Sequence, residues 1–164
     1  MSPWTLRRRA ARVVLLDPDG RVFLVEARDP ADPAKGAWWE IPGGGIDHGE
    51  SSTEAAAREL HEETGISAAE IGPCIWVQHV EFDFGGWHFD QDEVIHVAWA
   101  EGGHYDPQAL EPLEHLAFSA GRWWSLDELS TSGVRLLPER LRDLLPPIVA
   151  GDLPEPPLDI GLLA

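Results

Sequence analysis

Two kinds of apolar pattern run along this chain. The first is short and β-branched: Arg9 to Leu16 and Val22 to Glu26 are dense in valine, leucine and alanine, and Asp17-Pro18-Asp19-Gly20 between them suits a tight turn, which predicts a hairpin. Asp29 to Gly36 holds two prolines and reads as a loop, with a brief strand expected over Ala37 to Ile41. Ile75 to Phe84 and Trp87 to Ala100 are rich in β-branched and aromatic residues and are parted by Gly85-Gly86, a second hairpin signal. Glu101 to Ala120 shows no clear period and is expected to be a long loop with one helical turn at most; such loops are often functional. Arg122 to Ser125 reads as a last short strand, with Leu126 to Leu129 and Leu136 to Leu145 as closing helical pieces. Pro146 to Ala164 carries five prolines and is predicted to be an extended arm or disordered tail.

The second pattern has helical period. Ser51 and Glu54 form a capping-box pair, good helix formers fill Ala55 to Glu63, and Gly65 stands where a glycine ends a helix. At 100° per residue, Thr53, Ala56, Ala57, Leu60 and Thr64 share a stripe that can pack on a sheet. Glu59, Glu62 and Glu63 fall on the adjacent stripe at spacing i, i+3, i+4, so they repel one another. They also crowd the helix C-terminal half, where the macrodipole disfavours negative charge. Such conflicts concentrate at functional sites, the alternative being a solvated acidic face. A hard divalent cation resolves the conflict, because Mg²⁺ takes oxygen ligands and commonly joins one or two carboxylates to substrate phosphates. Immediately upstream, Gly43-Gly44-Gly45 must turn sharply or approach something closely, and its backbone could face the same ion.

Charge and composition narrow the function classes. The chain has 164 residues, enough for about one domain, with 29 acidic against 12 basic residues and a formal charge of −17. A broad phosphate-tracking surface is therefore excluded, and no nucleic acid duplex is expected as a partner. A single cysteine, Cys74, rules out an intrachain disulfide and a cysteine-based zinc site. The longest apolar run near the N-terminus, Val13 to Leu16, is too short for a signal peptide or membrane span, so a cytoplasmic protein without a membrane partner is expected. Lys35 is the only lysine. The run Arg7-Arg8-Arg9 reads as a solvated lead-in to the first strand. His79, His88, His96 and His104 lack the spacing of a histidine metal motif and read as core or surface residues.

The segment Gly44 to Ile66 resembles the Nudix box, G-x5-E-x7-R-E-U-x-E-E-x-G-U with U aliphatic. All its fixed positions match: Gly44, Glu50, Arg58, Glu59, Leu60, Glu62, Glu63, Gly65 and Ile66. Trp39 to Gly43 resembles the lead-in found in many members. The resemblance implies an α/β fold, an α/β/α sandwich with a mixed central sheet and the box as a loop-helix-loop. The domain would run from residue 1 to 150, followed by a proline-rich tail, 151–164. It implies hydrolysis of a nucleoside diphosphate linked to another moiety, with Mg²⁺ as cofactor and Mn²⁺ as a substitute. Glu59 and Glu63 would be the principal metal ligands, Glu62 a third or alternate ligand, and a Gly43 or Gly44 carbonyl would complete the shell. Arg58 would hold a glutamate in orientation, and Glu50 would pair with Arg58 or complement the helix dipole. A nucleotide-binding sensor without catalysis is the alternative. Family members often dimerise, so a homodimer is a further expectation.

Outside the box, Phe82, Phe84, Gly86, Gln91 and Glu93 form F-x-F-x-G-x4-Q-x-E, a pattern that resembles small bacterial Nudix hydrolases. Alternation puts Gln91 and Glu93 on one strand face, and Glu93 is the favoured extra metal ligand or base; Glu114, in the long loop, is the alternative. Arg28, at the end of the second strand, is a candidate phosphate contact, with a surface ion pair as the favoured alternative, and Gly43, Gly44 and Gly45 are candidate substrate contacts.

Overall fold

The computed structural model describes residues 4–162. Its strands are β1 (Thr5–Leu16), β2 (Val22–Arg28), β3 (Ala37–Glu40), β4 (Gly43–Gly45), β5 (Glu70–Phe84), β6 (Trp87–Trp99), β7 (Phe118–Trp124), β8 (Leu136–Leu137) and β9 (Leu158–Asp159). The helices are α1 (Ser52–Thr64), α2 (Pro112–Ala117), α3 (Leu126–Thr131) and α4 (Leu141–Val149). The sheet is mixed and runs β8-β3-β2-β1-β6-β5-β9, with β4 on β1 and β7 on β2. One core cluster packs α1, through Ala55, Ala56 and Leu60, on Ala11, Val13, Leu15, Phe23 and Val25. The other joins Leu129 of α3 and Leu141, Leu145 and Ile148 of α4 to Val14, Leu16, Val22 and Leu24. Sheet between helices is the architecture expected.

The predicted first hairpin is splayed. β1 and β2 pair only at Leu16↔Val22, whereas β1 runs parallel to β6 along its whole length, from Thr5↔His88 to Leu16↔Trp99. β4 occupies the edge of β1 at Ala10–Arg12 instead, with Gly43 opposite Arg12. This opening between β1 and β2 is where α1 and the glycine turn enter, and it becomes the site.

The ribbon β5–β6 forms as predicted, with Phe84↔Trp87 at its turn, but β5 begins earlier, at Glu70. Its tip is held by the β2–β3 loop. Asp29 accepts from the Gly85 and Ala31 N–H groups, each at 2.9 Å, and from Lys35 Nζ at 2.7 Å; Lys35 also donates to the Asp83 carbonyl at 2.7 Å. The only lysine thus has a structural task. Burial would push the Asp29 carboxyl up, but these donors hold it below the usual carboxylate range. A depressed folded value means that Asp29 stabilises the protein above the unfolded value of about 3.9, and that this is lost as pH falls through the folded value. Asp29→Asn is expected to lower stability by about 1–2 kcal/mol at pH 7. In urea titrations its gap to wild type should narrow as pH falls below about 3.9 and close only below the depressed folded value, where Asp29 is protonated in the folded protein too.

Three segments depart from the sequence expectation. The expected long loop contains α2 and runs directly into β7, whose first residue is Phe118. Leu136–Leu145 divides into β8 and the start of α4, and Pro146 and Pro147 lie inside α4. The proline-rich segment folds back, placing Leu158 and Asp159 parallel to Trp76 and Val77 and burying Ile160 in the α4-side core. Residues 163 and 164 lie outside the described residues.

Candidate active site

The helix forms as its caps dictate: the Ser51 hydroxyl accepts the Glu54 N–H, the Glu54 side chain accepts the Ser51 N–H, and Gly65 closes the helix in the left-handed conformation. Its buried stripe is rotated from the one predicted. Ala55, Ala56, Leu60, Glu63 and Thr64 are buried, while Thr53 and Ala57 are exposed. The helix therefore turns its glutamates partly inward, against the glycine turn. Gly43 has φ +153°, and a Cβ there would lie 2.3 Å from the Ala11 carbonyl oxygen; one on Gly44 would lie 2.6 Å from the Glu59 carboxylate. Side chains are excluded from both positions because the strand edge and a carboxylate already fill the space.

Arg58 binds the acidic stripe together. Its guanidinium grips Glu50 at 2.7 and 2.9 Å, reaches Glu59 at 3.0 Å and Glu62 at 3.2 Å, and donates to the Gly45 carbonyl at 2.8 Å. The bonds that Arg58 donates to Glu50 raise its affinity for the proton most, and Glu50 in turn is held below the usual carboxylate range by Arg58. The like-charge conflict along the helix is thus bridged by one cation that also fixes the turn.

Glu63 is different. It is 1% exposed, its Oε2 accepts the Gly43 N–H at 3.0 Å, and its Oε1 has no hydrogen-bond partner. Burial, with Glu114 and Glu40 nearby, pushes its carboxyl well above the ordinary range. Burial likewise raises Glu59 and Glu114. One carboxylate oxygen from each of Glu59, Glu63 and Glu114 lies within 4.8 Å of the others, and among the described residues this is the only such group of His, Cys, Asp or Glu side chains.

Glu114 arrives through the long loop. The N–H of Asp106 caps the Thr64 carbonyl at 2.8 Å, and the N–H groups of Gln108 and Ala109 cap that of Glu62 at 2.8 and 3.0 Å. These bonds satisfy carbonyls that a helix end leaves open. They also hand the chain to α2, where Glu114 accepts the Glu111 N–H at 2.8 Å.

Glu93 is not in the group. It is 4% exposed, and both its oxygens are taken: Oε1 by Gln78 at 2.7 Å, Oε2 by Arg12 at 2.8 Å and Gln91 at 2.5 Å. Burial would raise its carboxyl, but Arg12 and these amides hold it below the usual range. Arg12 also pairs with Glu40 at 3.2 Å, so a glutamate on a central strand is made tolerable by a buried guanidinium. Arg28 is also outside. Its neighbour Ala27 pairs with the cleft-lining Trp38, so alternation sends Arg28 to the other face, exposed. Arg8, read from sequence as a solvated lead-in, instead lines the cleft: its Nε donates to Gln91 at 2.9 Å and its guanidinium lies 5.1 Å from the Phe89 ring centroid. Burial, helped by Arg12, lowers the affinity of Arg8 for its proton, which a bound anion would reverse.

One cleft of about 1190 Å³ is lined by Glu59, Glu62, Glu114, Arg8 and the glycine turn together with the rings of Trp38, Phe82 and Phe84. The NUDIX domain family profile matches residues 6–146. The chain belongs to the Nudix family. An RNA pyrophosphohydrolase of Caulobacter vibrioides is 36% identical over 129 residues, 71% of this chain and 70% of that protein. That of Sphingopyxis alaskensis is 49% identical over 138 residues, 74% of this chain and 80% of that protein. In fold, the chain is similar to an ADP-ribose pyrophosphatase from Streptococcus suis, with TM-score 0.59, 16% identity and coverage of 93% and 97%. It is also similar to a MutT Nudix hydrolase from Burkholderia pseudomallei, with TM-score 0.53, 24% identity and coverage of 84% and 95%. As a Nudix hydrolase, this protein is an enzyme acting on phosphoric anhydride bonds. No helix among the described residues is long and apolar enough to cross a membrane.

Proposed function

We propose that this Nudix hydrolase is a Mg²⁺-dependent pyrophosphohydrolase that cleaves a nucleoside diphosphate linked to a further group, with Mn²⁺ able to substitute, and that its substrate is the 5′-polyphosphate end of single-stranded RNA. The observation that carries the reading is the meeting of one carboxylate oxygen each from Glu59, Glu63 and Glu114 within 4.8 Å, in a site where Oε1 of the buried Glu63 has no hydrogen-bond partner. Three hard oxygen donors with a buried acceptor left open fit Mg²⁺, which tolerates waters and phosphates in its remaining positions. Bound there, the ion supplies charge neutralisation on the phosphates and acidity to a water.

The chain's own residues do the rest. Glu63 is fixed by the Gly43 N–H and Glu59 by Arg58, so the donors need little reorganisation. Arg58 is a positioning residue. Glu62, half-buried on the cleft wall with one oxygen on Arg58, is the candidate general base, a role worth about 10²–10⁴ in rate. Arg8 offers a cation to a phosphate oxygen. The RNA clause draws on the named relatives and on chemistry: internal RNA linkages are diesters, so an anhydride exists only at the 5′ end. A chain of charge −17 suits a substrate engaged by its end and not along its backbone.

Purified protein with Mg²⁺ is expected to release phosphate or pyrophosphate from 5′-triphosphorylated RNA, within a panel that includes ADP-ribose, nucleoside triphosphates and dinucleoside polyphosphates. Tight nucleotide binding by calorimetry with no turnover would identify a sensor instead. Glu114→Gln is expected to lower kcat about a hundredfold and raise the Mg²⁺ concentration needed for half-maximal rate. Glu93→Gln should be felt first as a lower Tm. Turnover lost in Glu93→Gln at unchanged Tm, with Glu114→Gln like wild type, would return the ligand role to Glu93.

A further inference from the structure

The two faces of the β5–β6 ribbon carry opposite chemistry. On the outer face, Arg7 pairs with Asp90, His79 with Asp92 and His88 with Asp83. The inner face is a set of rungs fixed by register: Arg8 opposite Gln91, then Leu6 opposite Phe89 and Phe82, then Trp87 beside Trp4. Phe82 and Phe89 stack at 5.1 Å, and the Trp4 and Trp87 rings are 6.1 Å apart. Trp4 is 64% exposed, Trp87 44% and Leu6 38%, and both Leu6 and Trp87 belong to the wall of the catalytic cleft. At about 3.3 Å per residue, Trp4 stands about 13 Å from Arg8 along β1. Apolar rings so exposed, continuous with a cleft whose substrate end is anionic, ask for a planar, largely uncharged ligand.

We propose that Trp4, Leu6 and Trp87 form a stacking track for the unpaired nucleobases that follow the 5′-terminal nucleotide of single-stranded RNA. The inference rests on the RNA reading above and deepens it. Base–aromatic stacking tolerates any sequence and needs no cation, which is what a protein of charge −17 can offer a nucleic acid. Asp92 and Asp83, the carboxylates beside the rungs, are each engaged by a histidine, His79 and His88. The rungs repeat every two residues along the strand, so successive splayed bases can meet successive rungs.

The test compares kcat/KM for 5′-triphosphorylated ribonucleotides one, two and three residues long, with Mg²⁺. Wild type is expected to gain about tenfold or more from one residue to three, through KM, in line with stacking of each added base. That gain should change little with salt, because no added phosphate is neutralised. Trp87→Ala and Trp4→Ala are expected to bring the three-to-one ratio close to unity, and Trp87→Phe to restore most of it. A blunt duplex end should lose the gain. A length-independent wild-type rate, or a gain retained in both alanine variants, overturns the track while oligonucleotide cleavage upholds the RNA reading. So does a dimer, seen by sedimentation, that the alanine variants split without altering the ratio. No cleavage of any oligonucleotide, with turnover of small nucleotides, overturns both.

Discussion

Glu63→Gln is expected to lower kcat by about 10²–10⁴, the range for loss of a group acting directly on the reaction, while the protein melts no lower than wild type. The two halves of this outcome have one cause. Glu63 is buried, bonded through one oxygen to the Gly43 N–H, and crowded by Glu59 and Glu114. Ionising it there opposes the fold, because a carboxyl held above its unfolded value binds its proton more tightly in the folded state. A glutamine keeps the acceptor for Gly43 and can offer its NH₂ to the neighbouring carboxylates, removing charge without leaving a hole. What it removes is an anionic ligand. Wild-type Tm is expected to rise with added Mg²⁺, by the linkage of binding to folding, and that rise should vanish in the variant. Near-wild-type turnover at saturating metal would sink the ligand assignment.

Arg12→Met is expected to be the most destabilising single change in the site, by about 3–5 kcal/mol in urea titration. Arg12 is the cation between two buried carboxylates, Glu93 at 2.8 Å and Glu40 at 3.2 Å, and it also donates to the Ile41 carbonyl at 3.3 Å. Burial alone would weaken its hold on the proton, but those two carboxylates keep the guanidinium firmly charged. Methionine fills much of the volume and leaves both acids uncompensated, which is why breaking such a pair costs more than replacing it whole. The double variant Arg12→Met with Glu93→Gln should therefore recover part of the loss. A double variant no more stable than Arg12→Met would show that Arg12 acts by packing, not by charge.

Locally encoded features are legible in the sequence. The capping box at Ser51 and Glu54, the close of α1 at Gly65 and the turn at Gly85-Gly86 are set by residues within a few positions of one another. The acidic stripe of α1 could be recognised as a conflict from spacing alone, and its match to the Nudix box gave the family, which the profile over residues 6–146 bears out. Even the need for glycine before the helix was legible, although what fills the space, the Ala11 carbonyl and the Glu59 carboxylate, was not.

Glu93 and Glu114 show where that reading stopped. Both are glutamates outside the box, and alternation correctly put Glu93 beside Gln91 facing inward; what it could not supply was the cation opposite. Arg12, 81 positions earlier, meets Glu93 only because β1 runs parallel to β6. Arg8 enters the cleft for the same reason. Glu114 approaches Glu59 and Glu63 because open carbonyls at the end of α1 capture the loop at Asp106, Gln108 and Ala109. The sequence by itself determined the helix, its caps, the family and the box carboxylates, since each rests on neighbours along the chain. Which cation neutralises which acid, and which third carboxylate joins the pair on the helix, was decided by the tertiary structure alone, because burial and partnership depend on strands and loops brought together from distant positions.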